Sequence, residues 1–206
     1  MIVVGGGPAG ASTAWHLAQH GVDVLLLDRA RFPRDKTCAE YLSPQASRIL
    51  SAMGALPALE AAGAAQLTGM LVRAPSGDVI HGEYASSHGF RGFRDRGLGV
   101  RRRVLDATLV DRARDAGVRV REGARVCDVL RAHGTRGRAV GVRVLDADGA
   151  ERALHAPLVI GADGLRSVVA RRLGLARRFP WPRRLAFMCH VRGLAGMGAL
   201  GEMHVE

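Results

Sequence analysis

Gly5, Gly7 and Gly10, with Pro8 and Ala9 before the third, form a G-x-G-x-x-G bend directly after the apolar run Ile2-Val3-Val4. Glycine at the first position permits a tight turn, and at the second it lets a diphosphate approach the backbone. At the third it lets a helix pack closely on a strand. A helix opening at that bend offers unpaired N–H groups and the positive end of its dipole to phosphate. Asp28 follows at roughly the 20-residue spacing such sites use for an acid that accepts hydrogen bonds from a ribose hydroxyl pair. Arg29 joins it as a cofactor-binding candidate. A carboxylate there repels a 2′-phosphate, which argues against NADP at this bend. The glycine pattern alone is weak evidence; its position between a strand and a helix is what gives it weight.

Those elements can be read from the pattern. Residues 2–4 read as a buried strand, and 9–20 as a helix with Ala11, Ala14, Trp15 and Ala18 on one stripe, closed by Gly21. Residues 22–27 read as a second buried strand, which opens a βαβ unit with a parallel sheet. Residues 29–43 read as a polar loop and 44–53 as a helix with Pro44 in its first turn. Segments 67–73 and 79–83 read as a hairpin around Pro75-Ser76-Gly77-Asp78, and 85–99 as irregular. A second helix is expected at 103–116, then strands at 118–121, 124–131, 139–145, 150–155 and 158–160, and a short helix at 167–173. Residues 183–191 and 201–206 alternate like strands of a different sheet.

Composition narrows the function classes. Hydrophobic residues make up 48% of 206 residues, enough to bury a core. The net charge is +11, but of 30 basic residues only Lys36 is lysine, and the arginines are spread along the chain. With aromatics at 4%, there are few platforms for stacking bases, so nucleic acid is not the expected partner. No apolar run approaches the ~20 residues of a membrane span, and no signal-peptide pattern is present, so the default compartment is the cytoplasm. That leaves peripheral contact with a membrane open. Cys38, Cys127 and Cys189 are too widely spaced for a disulfide framework or a zinc site, and the eight histidines form no ligand motif, so no metal is expected.

The segment Arg31-Phe32-Pro33-Arg34-Asp35-Lys36-Thr37-Cys38-Ala39-Glu40 resembles the FPRDKxCxE stretch of geranylgeranyl reductase-like flavoproteins, which share the p-hydroxybenzoate hydroxylase fold. Arg102, Leu105 and Asp106 resemble the family's R-x-x-L-D. Gly123 to Val129 resembles its adenine-side strand, and Gly161-Ala162-Asp163-Gly164 its internal DG motif. The resemblance covers positions 2 to about 173 in the right order. It implies an α/β fold: a Rossmann-like FAD-binding domain with a parallel central sheet and a β-meander, plus the start of a mixed-sheet substrate domain. The corresponding division is an FAD-binding domain over 1–178, with 64–100 as a substrate-domain excursion, and an incomplete substrate domain over 179–206.

The resemblance also implies roles. Asp28 holds the adenosine ribose, Arg102 neutralises FAD phosphate, Val126 touches adenine, and Asp163 supports the cofactor cleft. Lys36, Cys38, Ala39 and Glu40 lie along the flavin side. Tyr41 stands where relatives often carry glycine, and either stacks near the ring or narrows the pocket. Cys38 is the catalytic candidate: Arg34 and Lys36 nearby favour thiolate. The blander reading, a small residue packed on the flavin, is preferred because the flavin performs the hydride chemistry. Cys127 and Cys189 are expected to be buried and inert. His190 and His204 could face a substrate.

The implied activity is FAD-dependent hydride transfer to a double bond of an apolar substrate, with NAD(P)H as electron donor. The alternatives are an aromatic monooxygenase or, from another class, a nucleotide-binding remnant without turnover. A halogenase is disfavoured by the absence of WxWxIP; Phe179-Pro180-Trp181-Pro182 does not match it. No second glycine-aspartate motif (GDAA-like) occurs, so a C-terminal portion of the whole enzyme is expected to be missing.

Overall fold

The computed structural model describes residues 1–84, 92–132, 137–177 and 185–206. In chain order the elements are β1 (Ile2–Val4), α1 (Pro8–Gln19), β2 (Leu25–Asp28), β3 (Tyr41–Leu42), α2 (Ala46–Ala52), α3 (Leu56–Ala61), β4 (Ala65–Leu67), β5 (Gly69–Arg73), β6 (Val79–Glu83) and β7 (Gly97–Gly99). They continue with α4 (Arg102–Asp115), β8 (Arg119–Glu122), β9 (Arg125–Arg131), β10 (Ala139–Leu145), β11 (Glu151–His155), β12 (Val159–Gly161), α5 (Val168–Arg172) and β13 (Leu200–His204). The chain divides into two compact units, the first formed by Met1–Asp35 and Leu105–Leu185, the second by Lys36–Val104 and Ala186–Glu206.

The first unit is built on a parallel sheet in the order β12-β1-β2-β8. Its apolar strands bury side chains on both faces, as a sheet covered on both sides requires. Val3 and Leu26 face one cluster with Ala14 of α1, Val24, Ala113 of α4 and Val118. Ile2, Val4 and Leu27 face the other, with Val126 and Val129 of β9 and Val142 and Val144 of β10. The strand period of two thus sends alternate residues to opposite layers. One layer is helical; the other is the antiparallel meander β11-β10-β9. Leu26 and Leu27 are each fully buried, a gain of roughly 1.5–3 kcal/mol per side chain.

The second unit holds β3-β7-β4 and the mixed sheet β13-β5-β6, in which β13 runs parallel to β5 and β6 antiparallel to it. The hairpin expected at 67–83 is present as β5 and β6, closed where Ala74 donates to the Asp78 carbonyl at 2.9 Å and Gly77 takes a φ of +90°.

Several expectations need correction. The first residues of the segment 22–27 are not in the ladder, and β2 instead ends on Asp28. Helix α3 lies in a stretch for which the sequence analysis names no element; Pro57 sits in its first turn and the buried Leu59 seats it. Of the irregular stretch 85–99, residues 85–91 lie outside the described residues, and 97–99 form β7, whose glycines fit between β3 and β4. Phe179 to Pro182, and residues 183 and 184 of the strand expected at 183–191, also lie outside the described residues. Residues 185–191 carry no strand, which leaves Cys189 exposed rather than buried.

Candidate functional site

The bend after β1 is held by contacts that only glycine permits. Gly5 takes a φ of +103°, and a methyl group there would lie 2.4 Å from the Ala162 carbonyl oxygen and 2.8 Å from the Asp163 Cα. At Gly10 a methyl would lie 1.7 Å from the Gly5 carbonyl oxygen. The helix therefore meets the strand end backbone to backbone, and the DG motif packs directly on the glycine bend. Gly7 is the N-cap of α1, in extended conformation, Pro8 occupies the first turn, and no side chain caps the helix. Gly7 and Pro8 are half-buried and Ala9 is exposed. The first amides of a helix have no intrahelical partner, so those of Ala9 and Gly10 suit an incoming oxyanion.

Asp28 ends β2 beside this bend and is 8% exposed. Its Oδ2 accepts the Gly6 N–H at 2.7 Å and its Oδ1 accepts the Ala30 N–H at 2.7 Å. A carboxylate has about four acceptor positions, so capacity for a ribose hydroxyl remains. The carboxylate thus has a second task that its spacing did not reveal, the fastening of Gly6. Arg29, next to it, is exposed.

Two of the resembling motifs meet in this unit. The Phe32 ring lies against Gly6, where a methyl would be 3.1 Å from Cζ. The Phe32 N–H donates to Glu122 at 3.1 Å, and Glu122 also pairs with Arg114. The Arg34 guanidinium stacks 5.0 Å from the Phe32 ring centroid and pairs with Asp106 at 2.9 Å. Asp106 is fully buried. The FPRDK stretch is thus tied to R-x-x-L-D by an ion pair, a link present in both motifs but invisible in either alone.

Asp163 is half-buried, accepting the Ser167 hydroxyl at 2.5 Å and the Val168 amide at 2.6 Å. Ser167 in turn accepts the Ala170 amide at 2.9 Å. This pair caps the five-residue α5 and shapes the loop that presses on Gly5. Val126 is 6% exposed within the valine cluster of β9 and β10. Its side chain helps fill the layer between the sheets, as inward positions of a meander strand do.

Lys36, Cys38, Ala39 and Arg102 belong to the second unit. Lys36 and Ala39 are exposed, and Cys38 is a half-buried free thiol. Arg34, read as an influence on that thiol, is committed to Asp106. Glu40 has a φ of +56°, a region costly for a residue with a side chain. Its Oε1 accepts the Arg102 N–H at 2.8 Å, its Oε2 meets His190 Nε2 at 2.8 Å, and its carbonyl accepts the Val100 N–H at 2.9 Å. Burial raises the Glu40 pKa, but the His190 and Arg102 hydrogen bonds outweigh it and hold the carboxyl below its ordinary value. Arg102 itself is 9% exposed. The Tyr41 and Tyr84 hydroxyls share a 2.6 Å hydrogen bond, and burial and that bond push Tyr41 above the ordinary phenol range. The ring of Tyr41 stacks on Tyr84, a partner 43 positions away that no local pattern encodes. Glu40 is the residue whose dual role sequence reasoning missed; its place in FPRDKxCxE was the available signal. Cys127 is half-buried, and its thiol donates to the Arg143 carbonyl at 3.4 Å.

Among the described residues no cluster of three or more His, Cys, Asp or Glu could hold a metal, and no helix is long and apolar enough to cross a membrane.

The FAD binding domain family matches residues 1–187. The chain is 36% identical over 181 residues to digeranylgeranylglycerophospholipid reductase 1 of Methanopyrus kandleri, covering 85% of this chain and 42% of that protein. It is 35% identical over 193 residues to menaquinone reductase of Mycobacterium tuberculosis, covering 94% and 43%. Among solved structures, the myxobacterial FAD-dependent halogenase CndH superposes with a TM-score of 0.71 at 32% identity, covering 80% of this chain and 37% of the other. The chain spans less than half the length of the curated relatives it matches.

Proposed function

The chain belongs to the FAD binding domain family, and from that premise we propose that it supplies the FAD-binding part of a geranylgeranyl reductase-like oxidoreductase. The observation that carries this reading is the bend itself. Glycines at 5 and 10 leave no room for a β-carbon, α1 lacks a side-chain cap, and Asp28 stands alongside. Such a cradle fits a diphosphate joined to a ribose and little else.

In this reading the Ala9 and Gly10 amides bind diphosphate oxygens, and Gly7 leaves the backbone open to their approach. Asp28, with Arg29 beside it, accepts a ribose hydroxyl through its unused lone pairs, while Gly6 keeps the carboxylate oriented. Arg102 offers its guanidinium to phosphate. Asp163 and Ser167 hold the DG loop, and Val126 contributes backbone to the adenine side. Lys36, Cys38 and Ala39 line the flavin side, Cys38 as a small packing residue ahead of a reactive thiol. When bound, FAD would supply two-electron hydride chemistry.

The proposed substrate class is apolar, with a double bond to be reduced, a reading supported by the two reductase relatives; the proposed electron donor is NAD(P)H. The proposed boundaries are an FAD-binding domain over 1–178, interrupted by substrate-domain residues 64–100, and a substrate-domain start over 179–206. The proposed setting is cytoplasmic, with contact at a membrane surface compatible with an apolar substrate. An FAD-dependent aromatic monooxygenase is the second reading, favoured by the fold shared with an oxygen-using type of flavoprotein, the FAD-dependent halogenase.

Absorption of the purified chain in the flavin bands, before and after FAD titration, tests the cofactor. A chain that never takes up FAD would remove the reading. Product analysis of the whole enzyme with and without oxygen separates reductase from oxygen-using chemistry.

A further inference from the structure

Helix α4 opens with a run of like charge and no acidic residue in its first turn. Arg101, Arg102 and Arg103 stand at the positive end of a 14-residue helix whose first turn contains no acidic residue. Positive side chains there are disfavoured by the helix dipole, and the usual remedy, a Ser, Thr, Asp or Asn at the cap, is absent. The compensating charge comes from far away in sequence. Glu40 places Oε1 2.8 Å from the Arg102 amide nitrogen, so a carboxylate 62 positions earlier caps the helix.

Glu40 is specially held for this. It adopts a left-handed backbone at φ +56°, its own carbonyl accepts the Val100 N–H at 2.9 Å, and its Oε2 meets His190 Nε2 at 2.8 Å. The groups facing it are therefore His190 from the 186–206 segment, the Arg102 amide, and the nearby positive charge of Arg101. A strained backbone and three hydrogen bonds converge on one residue two positions after Cys38. Strain of this kind persists only where surrounding contacts over-determine it, and it clusters at functional sites.

We infer that Glu40 is a positioning residue: it sets the first turn of α4, and thereby the phosphate-binding arginine Arg102, through a carboxylate that His190 braces from its other oxygen. The inference rests on the reading of Arg102 as an FAD-phosphate ligand. Reach matters as well as charge. Gln at position 40 retains an acceptor at Oε1 for the Arg102 amide, whereas Asp keeps the charge but withdraws it by one methylene.

The test is FAD titration of the 206-residue chain, followed by flavin fluorescence, with circular dichroism to verify folding. Glu40→Ala is expected to raise the FAD Kd about tenfold, in line with loss of a charged capping bond. Glu40→Asp is expected to resemble Ala, and Glu40→Gln to stay within about threefold of the parent. His190→Gln, which spares the Arg102 bond, should cost about twofold or less. In an Arg102→Ala background the Glu40→Ala change should add nothing, because both act through one contact. Should Glu40→Ala fail to fold, the order of Gln and Asp decides. Asp binding FAD better than Gln, or Glu40→Ala costing the same with and without Arg102, overturns the inference. A parent chain that takes up no FAD sinks the cofactor reading and this inference together; a parent that binds while Arg102→Ala leaves Kd unchanged sinks the role of Arg102 and this inference, but not FAD.

Discussion

Asp28→Asn is the perturbation with the sharpest consequence. Both carboxylate oxygens accept backbone amides at 2.7 Å, from Gly6 and from Ala30, and the residue is 8% exposed. Asparagine has one oxygen and one NH2, so it can accept from only one of these donors. The other N–H then faces a second donor in a poorly solvated place. A hydrogen bond to a charged group is worth about 1.5–3 kcal/mol, and a buried donor left unpaired costs about 1–3 kcal/mol more. Part of that cost will relax, so a net loss of about 2–4 kcal/mol is expected. For a chain of this size each kcal/mol moves the melting midpoint by about 2–4 °C, which gives a fall of about 4–16 °C. The same change removes the charge that a ribose hydroxyl would meet, so the FAD Kd should rise by about tenfold or more. Thermal melts by circular dichroism, with and without FAD, read both effects. A variant that melts within 2 °C of the parent by that roughly estimated scale and binds FAD equally well would refute the claim that this carboxylate fastens the bend.

Gly10→Ala should abolish FAD binding, since the new methyl would meet the Gly5 carbonyl oxygen at 1.7 Å and the helix would have to leave the strand; unaltered titration would contradict the close approach. Arg34→Met strips a guanidinium from the fully buried Asp106 and should cost about 3–5 kcal/mol in urea denaturation. Glu40 adds a pH dependence. Its folded-state pKa lies below the reference value of 4.5. Its ionised form therefore stabilises the fold above that value, and the contribution fades as pH falls through the folded value. The stability gap between the parent and Glu40→Gln should be full near neutral pH and close in acid; a gap that widens with acid would reverse the sign.

The parallel strand–turn–helix–strand unit and the bend were legible because both follow from local rules. Ile2-Val3-Val4, three glycines and an amphipathic run fit one strand–turn–helix, and the strand period sends Val3 one way and Ile2 and Val4 the other. What escaped was long-range pairing between polar groups. Glu40 reaches Arg102 and His190, and Arg34 reaches Asp106, across separations that no periodicity encodes. Segment 185–191 misled because alternation alone does not make a strand; no partner ladder forms there among the described residues.

Cofactor and substrate leave different marks on a sequence for a physical reason. A diphosphate is met by backbone amides, so the site demands glycine wherever a β-carbon would intrude, and the demand is absolute at Gly5 and Gly10. An apolar substrate makes no such demand. It is met by side-chain surface, and many combinations of valine, isoleucine and methionine present equivalent surface. Val79, Ile80 and Met203 are exposed apolar residues on the sheet β13-β5-β6, which lies in the segments proposed for the substrate domain. Specificity for the cofactor is therefore written in residues that cannot change, while specificity for the substrate is spread over residues that can. Exchanging Ile80 for Thr should accordingly leave the FAD Kd within about twofold, and any effect of the exchange should fall on substrate selection by the whole enzyme, measured as kcat/KM for apolar substrates of differing length.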